Sequence, residues 1–196
     1  MSASQQKPTV FIVSGLPRSG TSMMMSMLKA GGLELVVDGE RVADEDNPKG
    51  YFELERIKKL KSDSAWLKEA DGKVVKAISQ LLLDLPLDGS FAYKIIFMRR
   101  NLDEVLASQK KMLIRRGTYK PEISDDEMRR MFLLHLEQVT DFLQKHAVLE
   151  TLFVNYNRLL EDPTDRIDSI NQFLGGSLDT VAMTGVIDKQ LYRNRS

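Results

Sequence analysis

A chain of 196 residues, 42% hydrophobic and 29% charged, is long enough to bury a substantial core and is ordinary for a globular protein. Its 28 lysines and arginines balance 28 aspartates and glutamates, so no net field favours nucleic acid or an anionic membrane as partner. It has no cysteine, which excludes disulfides and thiolate metal sites. Residues 1–7 are polar and lead into only a short apolar run, and no apolar stretch is long enough to cross a bilayer. These features predict a cytoplasmic protein of one domain, residues 1–196, with a frayed N-terminus.

Residues 9–14 form a β-branched and aromatic run that predicts a buried strand. Gly15 and Gly20 then bracket Leu16-Pro17-Arg18-Ser19, and Thr21 opens an apolar-periodic helix that ends near Gly31-Gly32. Strand, glycine-bounded loop and helix in this order turn successive backbone N–H groups and a helix dipole on one point, which makes an anion site. Arg18 adds positive charge at the loop tip, and Ser19, Thr21 and Ser22 add hydroxyl donors. The spacing is close to the nucleotide-triphosphate loop G-x-x-x-x-G-K-[ST], but Thr21 stands where the lysine belongs. Without that lysine, ordinary kinase or ATPase chemistry loses its contact to the β- and γ-phosphates. Read alone, the segment also fits a plain glycine-rich turn with a surface arginine.

Residues 33–37 read as a strand or strand-like edge, and the acidic residues 38–50, with Asn47-Pro48 and Gly50, as a loop. Its carboxylates are either a solvated face or the source of a general base. A helix is expected over roughly 53–70, with Leu54, Ile57, Leu60 and Leu67 as its buried stripe. Residues 74–78 are the next strand. Lys76 within it either faces solvent from a sheet edge or, where both faces are covered, lies near the strand end aimed into a cleft. Residues 81–86 close a short helix or turn, and 92–98 form another strand.

That strand meets Arg99-Arg100-Asn101, with Asn101 as N-cap and Asp103 and Glu104 in the first turn of a helix toward Gly117. Two arginines at such a junction suit a second phosphate site, or plain surface charge. Lys110, Lys111, Arg115 and Arg116 make the rest of the helix basic, either as a solvated face or to recruit an anionic acceptor. Ser124 and Glu127 form a capping box for a long helix to about His146, with Met128, Met131, Phe132, His135, Val139, Phe142 and Leu143 as its apolar stripe. His135 on that stripe reads as a hydrogen-bonded core histidine, not a catalytic base. Residues 152–156 are a strand, Asp162-Pro163 starts a helix ending at Gly175-Gly176, and the tail from Ser177 is weakly patterned. Alternating strands and helices predict an α/β fold with a mainly parallel central sheet flanked by helices.

Three separated segments resemble, in order, motifs of the sulfotransferases that use 3′-phosphoadenylyl sulfate (PAPS) as donor. Pro17-Arg18-Ser19-Gly20-Thr21-Ser22 resembles the 5′-phosphosulfate loop, closest to bacterial members with a Pro-Arg-Ser-Gly-Thr loop. The stretch from Arg100 to Ser108 resembles the segment in which an arginine and a serine eight residues later grip the 3′-phosphate. Phe153-Val154-Asn155-Tyr156, Leu159 to Pro163 and Phe173-Leu174-Gly175 resemble the family's third block. The resemblance implies a P-loop-type three-layer fold and metal-independent transfer of a sulfuryl group from PAPS to a hydroxyl or amine. The acceptor would be a small molecule, sugar or lipid, and the nucleotide product 3′-phosphoadenosine 5′-phosphate (PAP). By position, Pro17, Arg18, Ser19, Gly20, Thr21 and Ser22 would hold the 5′-phosphosulfate, Arg100 and Ser108 the 3′-phosphate, and Tyr156 would lie near the nucleotide. Lys76 falls on the family's strand lysine, at the transferring group.

The departures are specific. The cytosolic branch carries a histidine base two residues after the strand lysine, where this chain has Ile78. A base must then be a carboxylate, and Glu40 and Glu53 are the candidates, Glu40 slightly ahead. The late Arg-Lys-Gly motif is absent; Arg193 and Arg195 either replace it or belong to a frayed basic tail. The chain is short for the family, which leaves the acceptor pocket reduced or completed by a second subunit in a homodimer. A P-loop small-molecule kinase and a nonenzymatic nucleotide-binding protein of the same fold are the alternatives.

Overall fold

A computed structural model describes residues 7–39 and 50–188. Four strands, β1 (Thr9–Gly15), β2 (Val74–Ile78), β3 (Ala92–Arg99) and β4 (Leu149–Asn155), pair in parallel in the order β2-β1-β3-β4. The helices are α1 (Thr21–Ala30), α2 (Leu102–Arg115), α3 (Asp125–Lys145), α4 (Tyr156–Glu161), α5 (Pro163–Phe173) and α6 (Thr180–Gly185). From β1 the chain crosses to β2 on one side and then to β3 on the other. The carboxyl end of β1 is therefore the switch point of the sheet, where such folds leave a crevice for ligands. Register fixes what meets there: Gly15 is level with Ile78 and Met98, and Arg99 with Asn155.

The strands are apolar on both faces because both faces are covered. On one face Met24, Met25, Met27 and Leu28 of α1 pack with Val13, Val74, Ile96 and Met98, joined by Leu159, Ile167, Ile170 and Met183. On the other, Ile12, Val75, Ile95 and Phe97 meet Trp66, Leu67, Leu82, Val139 and Leu143. Each such side chain contributes about 1.5–3 kcal/mol through burial. Three layers result.

Three elements differ from the sequence reading, while residues 33–37 form the strand-like edge it allowed. In place of one helix over 53–70 there are two 3-10 turns, Glu55–Lys59 and Ala65–Ala70. Ser62 and Asp63 both turn their N–H groups back to the Lys59 carbonyl, and the Trp66 indole donates to the Asp63 carbonyl at 3.1 Å. The Ser-Asp-Ser run thus favours a local turn over helix continuation, although Ile57, Leu60 and Leu67 are buried as expected. Residues 33–37 make one parallel bridge, Leu35 to Val74. β4 begins earlier than expected, at Leu149, and stops at Asn155, whose side chain accepts from the Arg158 N–H and starts α4 at Tyr156. The tail holds α6, capped by Asp179 and packed on α1 through the buried Met183.

In α3 only Val139 and Leu143 are fully buried, while Met131 of the expected stripe is 53% exposed. Full burial comes only in the second half of the helix; in the first half Met128, Phe132 and His135 of the expected stripe are half-buried. His135 is half-buried, and its Nε2 is 2.8 Å from the Oγ of the buried Ser79. Burial lowers its pKa below the usual imidazole value.

Candidate active site

The loop between β1 and α1 is built by close approach. Gly15 and Gly20 both have positive φ. A Cβ on Gly15 would lie 2.5 Å from the Ser19 Oγ and 2.7 Å from the Met98 carbonyl, and one on Gly20 would collide with the ring of Tyr156. Arg18 at the tip has φ +71, a conformation uncommon outside glycine and frequent where loops are held for function. Ser19 is buried, and both its N–H and its hydroxyl donate to the Leu16 carbonyl, at 3.2 and 2.7 Å. Its hydroxyl therefore shapes the loop.

Two helix N-termini point into the crevice, and they differ electrically. α2 is capped by Asn101, which accepts from the Asp103 N–H at 2.8 Å, and Asp103 and Glu104 fill its first turn. α1 has glycine at its cap, no side-chain cap and no acid in its first turn. The positive pole of α2 is offset from within, whereas that of α1 is left for an anion from outside.

Cations surround the α1 terminus from both sides. From the edge strand β2, Lys76 turns toward α1, and its Nζ donates to the Ser22 Oγ at 3.0 Å and the Tyr51 carbonyl at 2.7 Å. Lys76 sits mid-strand at the sheet edge, yet its ammonium turns inward onto these acceptors. From the other side, the Arg18 Nε donates to the Ser108 Oγ at 2.9 Å, and the Arg100 Nη1 donates to the Arg18 carbonyl at 3.1 Å. Arg100 is held by Glu104 (Nε to Oε2, 2.7 Å), with side chains 8% and 2% exposed. The second Glu104 oxygen accepts from Asn157 at 2.8 Å. The Arg100 guanidinium lies 4.7 Å from the Tyr156 ring centre. Burial raises the Tyr156 pKa against the opposing influence of Arg100.

The structure thus gathers Arg18, Ser22, Arg100, Ser108, Tyr156 and Lys76, with Thr21 buried beside them and Pro17 exposed at the loop tip. Arg99 does not join them; its guanidinium lies over Phe153, 3.9 Å from the ring centre. Glu53 is half-buried, two residues beyond Tyr51, and its carbonyl accepts from the Asp38 N–H at 3.4 Å. Glu40 and Arg193 lie outside the described residues. A cavity of about 490 Å³ opens between the loop, the end of β3 and α3, lined by Leu16, Ser19, Met98, Arg100 and Leu136 among others. Lys76 and Ser22 are not among its walls, so it is separate from the lysine centre.

A family model described as the sulfotransferase domain matches residues 8–194. The chain belongs to the sulfotransferase family. Its fold is also that of solved sulfotransferases. The sulfotransferase domain of the olefin synthase from Synechococcus PCC 7002 superposes with a TM-score of 0.55 at 16% identity, over 100% of this chain and 86% of that one. A sulfotransferase from Mycobacterium tuberculosis H37Rv gives 0.60 at 15%, over 91% and 71%. The sulfotransferase from Alicyclobacillus acidocaldarius gives 0.53 at 14%, over 97% of each chain. At these identities the likeness is one of fold. No curated protein sequence matches the chain.

Sequence reasoning about this sulfotransferase missed three contributors to the site. Glu104 reads as a helix-dipole acid, although its spacing of four from Arg100 permits an ion pair on one helix face. Asn157 and Tyr51 carry no motif signal, because their contacts cross between distant segments.

Proposed function

We infer that this sulfotransferase moves a sulfuryl group from PAPS to a hydroxyl or amine of a small-molecule, sugar or lipid acceptor, without a metal. One observation supports this most. The lysine missing from the loop at Thr21 is replaced by a cation from the neighbouring strand, Lys76, bonded to Ser22 at the anion-receiving helix terminus. The residues present fit the donor. The N–H groups of the loop and first turn, with Arg18, Thr21 and Ser22, hold its 5′-phosphosulfate, and Gly20 lets the Tyr156 ring close one wall. Ser108, Arg18 and Arg100 meet on the far side, where a 3′-phosphate is held.

PAPS supplies a sulfur–oxygen bond whose leaving group is a phosphate. That bond breaks as a new one forms from sulfur to the acceptor oxygen or nitrogen, and the acceptor gives up a proton. Lys76 and the loop donors offset charge gathering on the bridging and non-bridging oxygens, and the fixed loop keeps attack in line. Glu53 is the described candidate for the proton, next to the segment that holds Lys76; Glu40 is the other. Arg193 would add a 3′-phosphate contact from the tail. A cytoplasmic protein whose acceptor pocket is completed in a homodimer goes with this reading.

The test is transfer of label from sulfur-labelled PAPS to a panel of phenol, sugar, lipid and amine acceptors with a chelator present. Wild type transfers label, and Lys76→Ala lowers the rate with PAP affinity unchanged. Magnesium-dependent consumption of ATP in place of PAPS would overturn the reading in favour of a kinase.

A further inference from the structure

The transfer lysine is held by a residue outside the three family-like segments. Tyr51 is 5% exposed, and it makes contacts at both ends. Its carbonyl accepts from the Lys76 Nζ at 2.7 Å, and its hydroxyl accepts from the Arg116 Nη2 at 3.2 Å. Its two neighbours both have positive φ, Gly50 at +94 and Phe52 at +52. For a bulky aromatic residue this conformation is unfavourable, and it persists only where the surroundings enforce it. Phe52 is packed against the α1 core, and beyond it Asp38 joins the segment through the Glu53 carbonyl and the Glu55 N–H.

Arg116 is exposed, but its backbone is fixed. It is the C-cap of α2, with helical φ and ψ, and its N–H donates to the Met112 carbonyl at 3.0 Å. The same helix carries Ser108, which receives Arg18. The two positions are separated by about 12 Å of helix rise. One rigid rod therefore joins the Arg18 contact to the Tyr51 contact.

We propose that Tyr51 is a positioning residue for sulfuryl transfer: its carbonyl sets the Lys76 ammonium beside Ser22, and the Arg116 bond to its hydroxyl sets the carbonyl. The proposal rests on Lys76 being the transfer cation. A lysine on a flexible four-carbon stem needs acceptors to fix its charge at one point. A carbonyl fixes the ammonium without adding an opposing formal charge of its own. Phe52 is held in its unfavourable conformation where the chain must turn the Tyr51 carbonyl toward β2.

The experiment compares wild type with Tyr51→Phe, Arg116→Met and Arg116→Lys. Lysines are acetylated with acetic anhydride, and the rate at Lys76 is read by mass spectrometry against the other lysines. PAP affinity is measured by calorimetry, and release of sulfate from labelled PAPS is measured in a single turnover. Tyr51→Phe and Arg116→Met keep the Tyr51 carbonyl but release it, and each should speed acetylation of Lys76 by about twofold or more, up to about fivefold, the factor for complete loss of its hydrogen bond. Sulfate release should slow by a similar factor while PAP affinity stays within about twofold, and Arg116→Lys should restore part of the effect. Should Tyr51→Phe fold poorly, Arg116→Met at an exposed position carries the test. Unchanged Lys76 acetylation in the folded variants would overturn the proposal. Unchanged transfer in Lys76→Ala would instead overturn the role given to Lys76, leaving the acetylation result to report on Tyr51 by itself.

Discussion

Replacing Glu104 by glutamine tests how Arg100, the proposed 3′-phosphate contact, is held. The two side chains are 8% and 2% exposed, and the Glu104 carboxylate accepts from both Arg100 and Asn157. Glutamine keeps the shape but removes the charge, so the guanidinium is left buried beside an amide that also presents a donor toward it. Removing one partner of a buried pair costs roughly 3–5 kcal/mol. For a chain of this size each kcal/mol shifts Tm by about 2–4 °C, so thermal unfolding should fall by roughly 6–20 °C. Arg100 would also swing from the Arg18 carbonyl and the Tyr156 ring, and PAP binding should weaken at temperatures where the variant is still folded. Differential scanning calorimetry with and without PAP reads both effects. A Tm within 1–2 °C of wild type, with PAP affinity unchanged, would refute the claim that Glu104 orients Arg100. Arg100→Ala is a poor probe of phosphate binding, since it removes the cation facing Glu104 at 2% exposure; Arg100→Lys is the cleaner variant.

Gly20→Ala forces a Cβ against the Tyr156 ring at φ +97 and should cost roughly 1–3 kcal/mol while abolishing PAP binding, read by melting and calorimetry. His135 has a pKa lowered by burial, so the unfolded chain binds its proton first as pH falls. Its contribution is complete above about pH 6.5 and is lost as pH drops through the folded value; His135→Gln should remove that slope from stability measured by urea denaturation between pH 7.5 and 5.

The sheet was readable because a parallel sheet covered on both faces demands continuous apolar runs, and residues 9–14, 74–78 and 92–98 supply them. The loop was readable because glycine spacing encodes backbone geometry directly. What escaped had other causes. The 3-10 turns at 55–70 replace a helix because Ser62-Asp63-Ser64 bonds locally, which periodicity of leucines does not register. Met131 carries the helical period yet faces solvent, since full burial in α3 comes only at Val139 and Leu143. Lys76 was expected either in solvent or in a cleft, and only tertiary packing of α1 and the Tyr51 segment decides between them. Glu104 and Asn157 meet across 53 residues of chain, a pairing no local pattern announces.

On the proposed function, the α1 terminus and the Arg18, Ser108 and Arg100 group together read a nucleotide with a 3′-phosphate. Calorimetric titration with PAP, ATP and 5′-AMP, each without metal, separates this reading from its alternatives. Tight binding of PAP with weak or absent binding of the other two is the predicted result. Preference for ATP, or equal affinity for PAP and 5′-AMP, would contradict it.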